Sequence, residues 1–205
     1  MTSGVVLDCG DGVCHASAIY EGFSIQNSIQ RVDLGGRDIT KHLLQLLRRS
    51  GYALHTTAEF ELVRQIKEKH CSVGPISTKK DNEDEQFKEL ETKNENYTLP
   101  DGNVIRLGTE RERAPEILFK PELIGLESPG VHEMVASCIK ECDIDLRKTL
   151  YRNIVVSGST TLMESFCERL HKQLQKLAKD CKPTLIAPNN RQISCWIGGA
   201  TVSSL

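Results

Sequence analysis

No apolar run in the 205-residue sequence approaches the roughly 18 residues a membrane-spanning helix needs. Neither sign of charge dominates: 26 Lys and Arg against 28 Asp and Glu leave a formal net charge of −2. Such a balance gives no ground for nucleic acid or an anionic membrane surface as partner. Cysteine is present eight times, at 9, 14, 71, 138, 142, 167, 181 and 195, but no two are spaced C-x-x-C. A chain of this length, 39% hydrophobic, can bury a core without a disulfide framework. The opening Thr2-Ser3-Gly4 has no basic stretch, and Val5-Val6-Leu7 is cut short by Asp8, unlike a secretory signal. The expectation is reduced thiols in the cytosol or nucleus, with no nucleic-acid partner and no direct membrane insertion.

What is present divides into three stretches. In the first, Gly4 to Asp8 and Val13 to Tyr20 are apolar runs joined through Cys9-Gly10-Asp11-Gly12, which predicts a hairpin whose glycines supply positive φ. A Glu21-Gly22 turn then leads into a third run, Phe23 to Leu34. In the second stretch Leu43, Leu44, Leu46 and Leu47 mark a helix over 38–49, and Thr56-Thr57-Ala58-Glu59 is a capping box for a helix carrying Leu62, Val63 and Ile66. Lys79 to Glu95 holds seven acids and four lysines without apolar period, the pattern of a solvated loop. Tyr97 to Ile105 predicts a hairpin around Pro100-Asp101-Gly102, and Ala114 to Phe119 a short helix.

In the third stretch Val131, Val135 and Ile139 mark a helix, with a shorter one over 145–150. Ile154-Val155-Val156-Ser157 reads as a buried strand. Thr161 to Glu164 reads as the cap of a helix with core face Leu162, Phe166, Leu170, Leu174 and Leu177. A strand over 184–188 and a helix from Trp196 follow. Strands alternating with helices at both ends, with a helical insertion between them, imply an α/β fold: a sheet core bearing an inserted lobe.

Two turns carry the chemistry. In Asp8-Cys9-Gly10-Asp11-Gly12-Val13-Cys14-His15, small residues let backbone amides converge on an anion. Two aspartates there would repel phosphate unless a divalent cation lies between, and Mg²⁺ is commonly held by one or two carboxylates, water and phosphate oxygens. A β-turn whose aspartates only cap amides accounts for the same letters. The second turn, Ser157-Gly158-Ser159-Thr160-Thr161, follows a strand, which admits a phosphate or flat ring against backbone, or simply close helix–strand packing. Each turn lies at a strand end, where open α/β sheets bind ligands. Cys138 and Cys142 share a helix face without further metal ligands and read as buried free thiols; adjacent His70-Cys71 is no dyad.

The segments Gly4 to His15, Ile19 to Phe23, Leu34 to Asp38, Ile66 to Lys69, Leu99 to Gly102, Ala114 to Glu116 and Trp196 to Gly199 occur in this order. In that order the sequence resembles the second half of actin and actin-related proteins. Ala114 to Phe119, Phe119 to Gly125 and Asp145 to Leu150 are most similar to the dynactin-type branch. The resemblance implies a ribonuclease-H-like actin ATPase lobe of residues 1–34 and 127–205, with an inserted mainly helical lobe of residues 35–126. It implies ATP or ADP with Mg²⁺ as cofactor. Asp8, Gly10, Asp11, Gly12, Val13, Lys67, Glu68, Gly158, Ser159 and Thr160 would bind nucleotide, Asp8 and Asp11 would meet the metal through water, and Asp11 and His15 would be catalytic.

Leu123, Ile124 and Leu126 resemble the family's apolar plug at a filament interface, the alternative being a plain interlobe linker. The partners implied are actin-like subunits in a short filament and dynactin-type components, in the cytoplasmic cytoskeleton. Against the family pattern, Cys9 and Cys14 replace small or hydroxyl residues, Ser159 a glycine, Met163 a tyrosine and Gln192 a lysine. The first phosphate loop of the family is not in this sequence, so at most a weak Mg-dependent ATPase is expected. A small-substrate ATPase of the wider superfamily and a non-catalytic interaction module are the other function classes.

Overall fold

A computed structural model describes residues 2–75, 95–99, 102–178 and 181–204. Most of the segment 79–95, read as a solvated loop, lies outside the described residues. Strand β1 (Gly4–Cys9) and strand β2 (Cys14–Tyr20) form an antiparallel pair in the register Gly4 with Ile19 through Cys9 with Cys14. Alternation decides their faces: Val5, Leu7, Cys9, Cys14, Ala16 and Ala18 are buried on one side, with Asp8 and His15 on the other. The Glu21-Gly22 turn takes left-handed backbone at both positions, φ 49° and 87°, and leads into β3 (Phe23–Ser24), which pairs with the end of β2.

The expected third strand is interrupted. After β3 the chain makes a 3₁₀ turn over Gln26–Ser28 and returns to β2 as β4 (Gln30–Val32). The buried Ser28 hydroxyl donates to the Ile25 carbonyl at 2.7 Å and accepts from the Ala18 amide at 3.2 Å. A side chain there substitutes for the missing ladder bond, so one run becomes two short strands.

Helix α1 (Gly36–Arg49) buries Ile39, Leu43, Leu46 and Leu47 and packs on α2 (Thr57–His70), which buries Val63 and Ile66. The capping box at α2 forms as read: Thr56 Oγ1 accepts from the Glu59 amide and Glu59 reaches back to the Thr56 amide. A two-stranded sheet, β5 (Glu95–Thr98) with β6 (Val104–Leu107), and the short α3 (Glu110–Arg113) follow. The short helix expected over 114–119 is a 3₁₀ turn, Pro115–Leu118.

The chain then returns to the sheet through α4 (Val131–Lys140), α5 (Ile144–Arg152) and β7 (Ile154–Ser157). Strand β7 lies parallel to β1 on one side and to β8 (Leu185–Ile186) on the other, giving the order β3-β2-β1-β7-β8. Helix α4 packs Met134, Val135, Cys138 and Ile139 into the core and meets β2 and α6 (Phe166–Leu177). A last helix, α7 (Ser194–Ser203), leaves Trp196 and Val202 exposed. The α/β expectation is met, a mostly parallel-plus-hairpin sheet with helices packed on it.

One buried arginine ties distant parts together. Arg169, on α6 and only 4% exposed, donates from Nη1 to the carbonyls of Gly74 at 2.5 Å and Pro75 at 2.8 Å. Its Nη2 meets Glu116 Oε1 at 2.7 Å, and the guanidinium lies 5.1 Å over the Phe119 ring. Together with the Val73 amide on the Glu164 carbonyl at 2.9 Å, it anchors the end of α2 against α6. That anchoring places α2 opposite the strand ends.

Candidate functional site

The loop between β1 and β2 is gripped from two sides. From α1, the Gly36 amide donates to the Gly10 carbonyl at 3.0 Å and the Arg37 amide to the Asp11 carbonyl at 2.8 Å. From the turn after β7, Thr160 Oγ1 donates to the same Gly10 carbonyl at 2.8 Å. Gly35 is required for this approach, because a Cβ there would stand 2.5 Å from the Asp11 carbonyl oxygen. Gly158, at φ 90°, is required twice over: by its backbone conformation and because a Cβ would overlap the backbone of Cys9.

Gly10 and Gly12 are different, and they correct the hairpin expectation. Neither lies in the left-handed region. A Cβ on Gly12 would meet nothing within 4 Å, and one on Gly10 only the Val13 carbonyl at 3.8 Å. The loop closes through the Gly10 amide on the Val13 carbonyl at 3.0 Å without either glycine's special freedom. The chain's own folding therefore leaves these two glycines unexplained.

Asp11, Lys67, Glu68, Ser159 and Thr160 line one cavity of about 750 Å³, with Met163 and Gln192 on its wall. Around Gly36 three polar groups converge: a Cβ there would lie 2.8 Å from Thr160 Oγ1, 3.3 Å from Lys67 Nζ and 3.5 Å from Asp11 Oδ1. Lys67 is 8% exposed, and its ammonium donates to the Gly36 carbonyl at 3.0 Å. Burial pushes its pKa down, opposed by the charges of Glu68 and Asp11. Glu68 is held away from it, on Arg64 at 2.8 Å along the same helix. A desolvated ammonium beside a carboxylate and a hydroxyl suits a phosphate ester.

The remaining expected residues sit around rather than in this cavity. Asp8 and His15 face each other across the hairpin, His15 Nδ1 being 3.9 Å from Asp8 Oδ2. Gly158 forms the floor of the turn: its carbonyl accepts Thr161 Oγ1 at 2.7 Å, and its amide donates to the Arg191 carbonyl at 3.0 Å. Leu123 and Leu126 are exposed, whereas Ile124 packs against the core. Three positions noted as departures from the family pattern, Ser159, Met163 and Gln192, all line the cavity.

The cap expected at Thr161 to Glu164 does not form. Residues 159–162 make a 3₁₀ turn, and α6 starts at Phe166 after Ser165 at φ 62°. Thr161 Oγ1 is already committed, donating to Gly158 and accepting from Arg191 Nε at 3.0 Å. Leu162 and Leu177 are exposed, so the core face of α6 is Phe166, Leu170 and Leu174.

Residues the sequence reading missed complete the wall. His70 Nδ1 lies 2.7 Å from Glu95 Oε2, and Arg111 Nη1 lies 2.9 Å from Glu95 Oε1. The hydrogen bond from His70 is the main cause that draws the Glu95 carboxyl below its ordinary pKa. The three residues stand 16 to 41 positions apart, and no local period announces them. Arg37 also escaped notice. Its guanidinium meets Asp11 Oδ2 at 3.1 Å, and its only sequence signal was its place after Gly35-Gly36. His70 and Cys71 are no dyad: His70 serves Glu95, and burial pushes the Cys71 thiol up to about 12.

Among the described residues no group of three or more His, Cys, Asp or Glu converges as a metal cage. Mg²⁺, which keeps several waters and takes phosphate oxygens, asks for only one or two carboxylates. Asp11 on the cavity wall, with Asp8 at the strand end three residues before it, meets that smaller demand.

The actin family model matches residues 1–205. An actin-like protein of Neurospora crassa is 51% identical over 205 residues, an alignment covering the whole of this chain and 54% of that relative. The chain thus spans about half the length of the curated relative it matches. Colinear over every residue and identical at half of its positions to such a relative, the chain belongs to the actin family.

Proposed function

We propose that this chain is the nucleotide-binding half of an actin-like cytoskeletal protomer, taking ATP or ADP with Mg²⁺ in the cavity between α2 and the two strand-end turns. In this reading residues 1–34 and 127–205 form the ribonuclease-H-like lobe and residues 35–126 the inserted lobe. The observation that carries it is the convergence of Asp11 Oδ1, Lys67 Nζ and Thr160 Oγ1 on Gly36, beside two glycines that the fold itself does not require. Those glycines leave room for phosphate oxygens against the amides of Gly12 and Val13, whereas the amide expected from Gly10 is already spent on the Val13 carbonyl. Lys67 would neutralise phosphate charge, Ser159 and Thr160 would border the nucleoside, and Glu68 would supply a carboxylate on the same wall.

The metal, when bound, would neutralise phosphate charge and hold the triphosphate in one conformation. Asp11 and Asp8 would receive its water shell. Asp11 and His15 are proposed as the catalytic pair, with His15 accepting a hydrogen bond from water on the exposed face of β2. Phosphoryl transfer is mostly positioning and charge stabilisation, so a site with one phosphate loop hydrolyses slowly.

The finer assignment, a subunit of a short dynactin-type filament in dynein-driven transport, rests on the similarity of residues 114–125 and 145–150 to that branch. The exposed Leu123 and Leu126 fit a filament contact. Actin-like neighbours in a filament are the partners proposed.

The test is displacement of a fluorescent ATP analogue from the purified chain. Wild type is expected to bind more tightly with Mg²⁺ than in EDTA, and Asp11→Asn to lose that metal dependence while melting cooperatively. Equal magnesium-dependent binding by both proteins would remove Asp11 from the site. High-speed sedimentation in Mg-ATP tests the filament: a concentration threshold supports it, and a monomer at all concentrations contradicts it.

A further inference from the structure

Arg37 holds Asp11 by two independent bonds. Its amide donates to the Asp11 carbonyl at 2.8 Å, and its guanidinium reaches the carboxylate from Nε at 3.2 Å and Nη2 at 3.1 Å, both to Oδ2. The two carboxylate oxygens are therefore not equivalent. Oδ2 is occupied by the guanidinium, whereas Oδ1 faces the Gly36 position shared with Lys67 Nζ and Thr160 Oγ1. Arg37 itself is not on the cavity wall.

We propose that Arg37 is a positioning residue of this site, whose guanidinium holds one Asp11 oxygen and thereby sets the balance between divalent cation and phosphate there. The inference rests on the reading of residues 8–15 as a phosphate loop. It adds a charge that the nucleotide never touches. A fixed positive charge on Asp11 repels a metal ion near that carboxylate and attracts the phosphate, so its removal moves the two affinities in opposite directions. A guanidinium cannot release its proton to relieve the conflict. The side chains of Arg37 and Asp11 are 64% and 55% exposed, so water screens the effect to about two- to five-fold in each affinity.

Opposite signs are what a merely structural role cannot produce, because a loosened loop weakens both ligands together. The experiment is a pair of calorimetric titrations on the 205-residue chain: ATP in EDTA, then MgCl₂ into the ATP-loaded protein. For Arg37→Gln the expected result is about two- to five-fold weaker ATP binding in EDTA and about two- to five-fold tighter Mg²⁺ binding. Arg37→Lys, which keeps the charge, is expected to stay near wild type in both. Thermal unfolding of each variant checks the fold. Affinities that fall together, or that do not move while wild type binds Mg-ATP, overturn the role of Arg37 and leave the phosphate loop standing. A folded wild type that binds neither ATP nor Mg²⁺ overturns both.

Discussion

Replacing Lys67 with methionine separates binding from stability more sharply than any other substitution in this chain. The side chain is 8% exposed, so its ammonium has lost most of its water, and burial holds its pKa down. Its ammonium donates to the Gly36 carbonyl at 3.0 Å, and that carbonyl also accepts Thr40 Oγ1 at 3.0 Å. Methionine therefore removes a buried charge without orphaning its acceptor, and a well-packed apolar replacement for a buried ion is near neutral. Stability is expected to change by less than about 1 kcal/mol. Binding is different, because a charge-assisted bond to phosphate contributes about 1.5–3 kcal/mol, or roughly 10- to 150-fold in affinity. Thermal melts of the apo chain and calorimetry with Mg-ATP read the two effects separately. A large drop in melting temperature with unchanged affinity would refute the reasoning, since Lys67 would then be a strut.

Three other perturbations follow from the same geometry. Gly158→Ala forces an L-residue to φ 90° against the Cys9 backbone, costing about 3 kcal/mol or about 6–12 °C in melting temperature; Gly12→Ala, with open space around it, is expected to leave the melt unchanged and weaken nucleotide, and equal melts for the two would contradict the assignment. His42 and His132 are pushed below the ordinary 6.5, chiefly by burial, so the unfolded chain takes up protons first and stability falls as pH drops below about 6.5. The double variant His42→Asn/His132→Asn is expected to flatten that slope in urea titrations, and an unchanged slope would assign it to other groups. Among the thiols, Cys195 is exposed, while burial raises Cys9, Cys71 and Cys138. Native alkylation followed by peptide mass mapping should therefore label Cys195 first, and early labelling of Cys71 would show that the end of α2 opens.

Local signals were legible and long-range ones were not. The β1–β2 hairpin, the Glu21-Gly22 turn and the Thr56–Glu59 box each depend on residues within a few positions, and each formed as read. The third strand failed because Ser28 satisfies the Ala18 amide from ten residues away, which no period shows. Leu162 and Leu177 fit the period of α6 but lie beyond where tertiary contacts give the helix a buried face. The site divides the same way. Its glycines and aspartates stand out in the letters, whereas the approach of Lys67 to Gly36 spans 31 positions and that of Arg37 to Asp11 spans 26. Gly35 and Gly36 were visible as a pair; only the fold explains them, one by the Asp11 carbonyl and the other by three converging side chains.

The most direct test of the central claim is calorimetric titration of the folded 205-residue chain with Mg-ATP, with and without EDTA. Saturable binding that EDTA weakens is the predicted result, since the cavity of Asp11 and Lys67 then takes phosphate and metal together. A cooperatively folded chain that binds no nucleotide in either condition would contradict the account and leave an actin-family scaffold without a working site of its own.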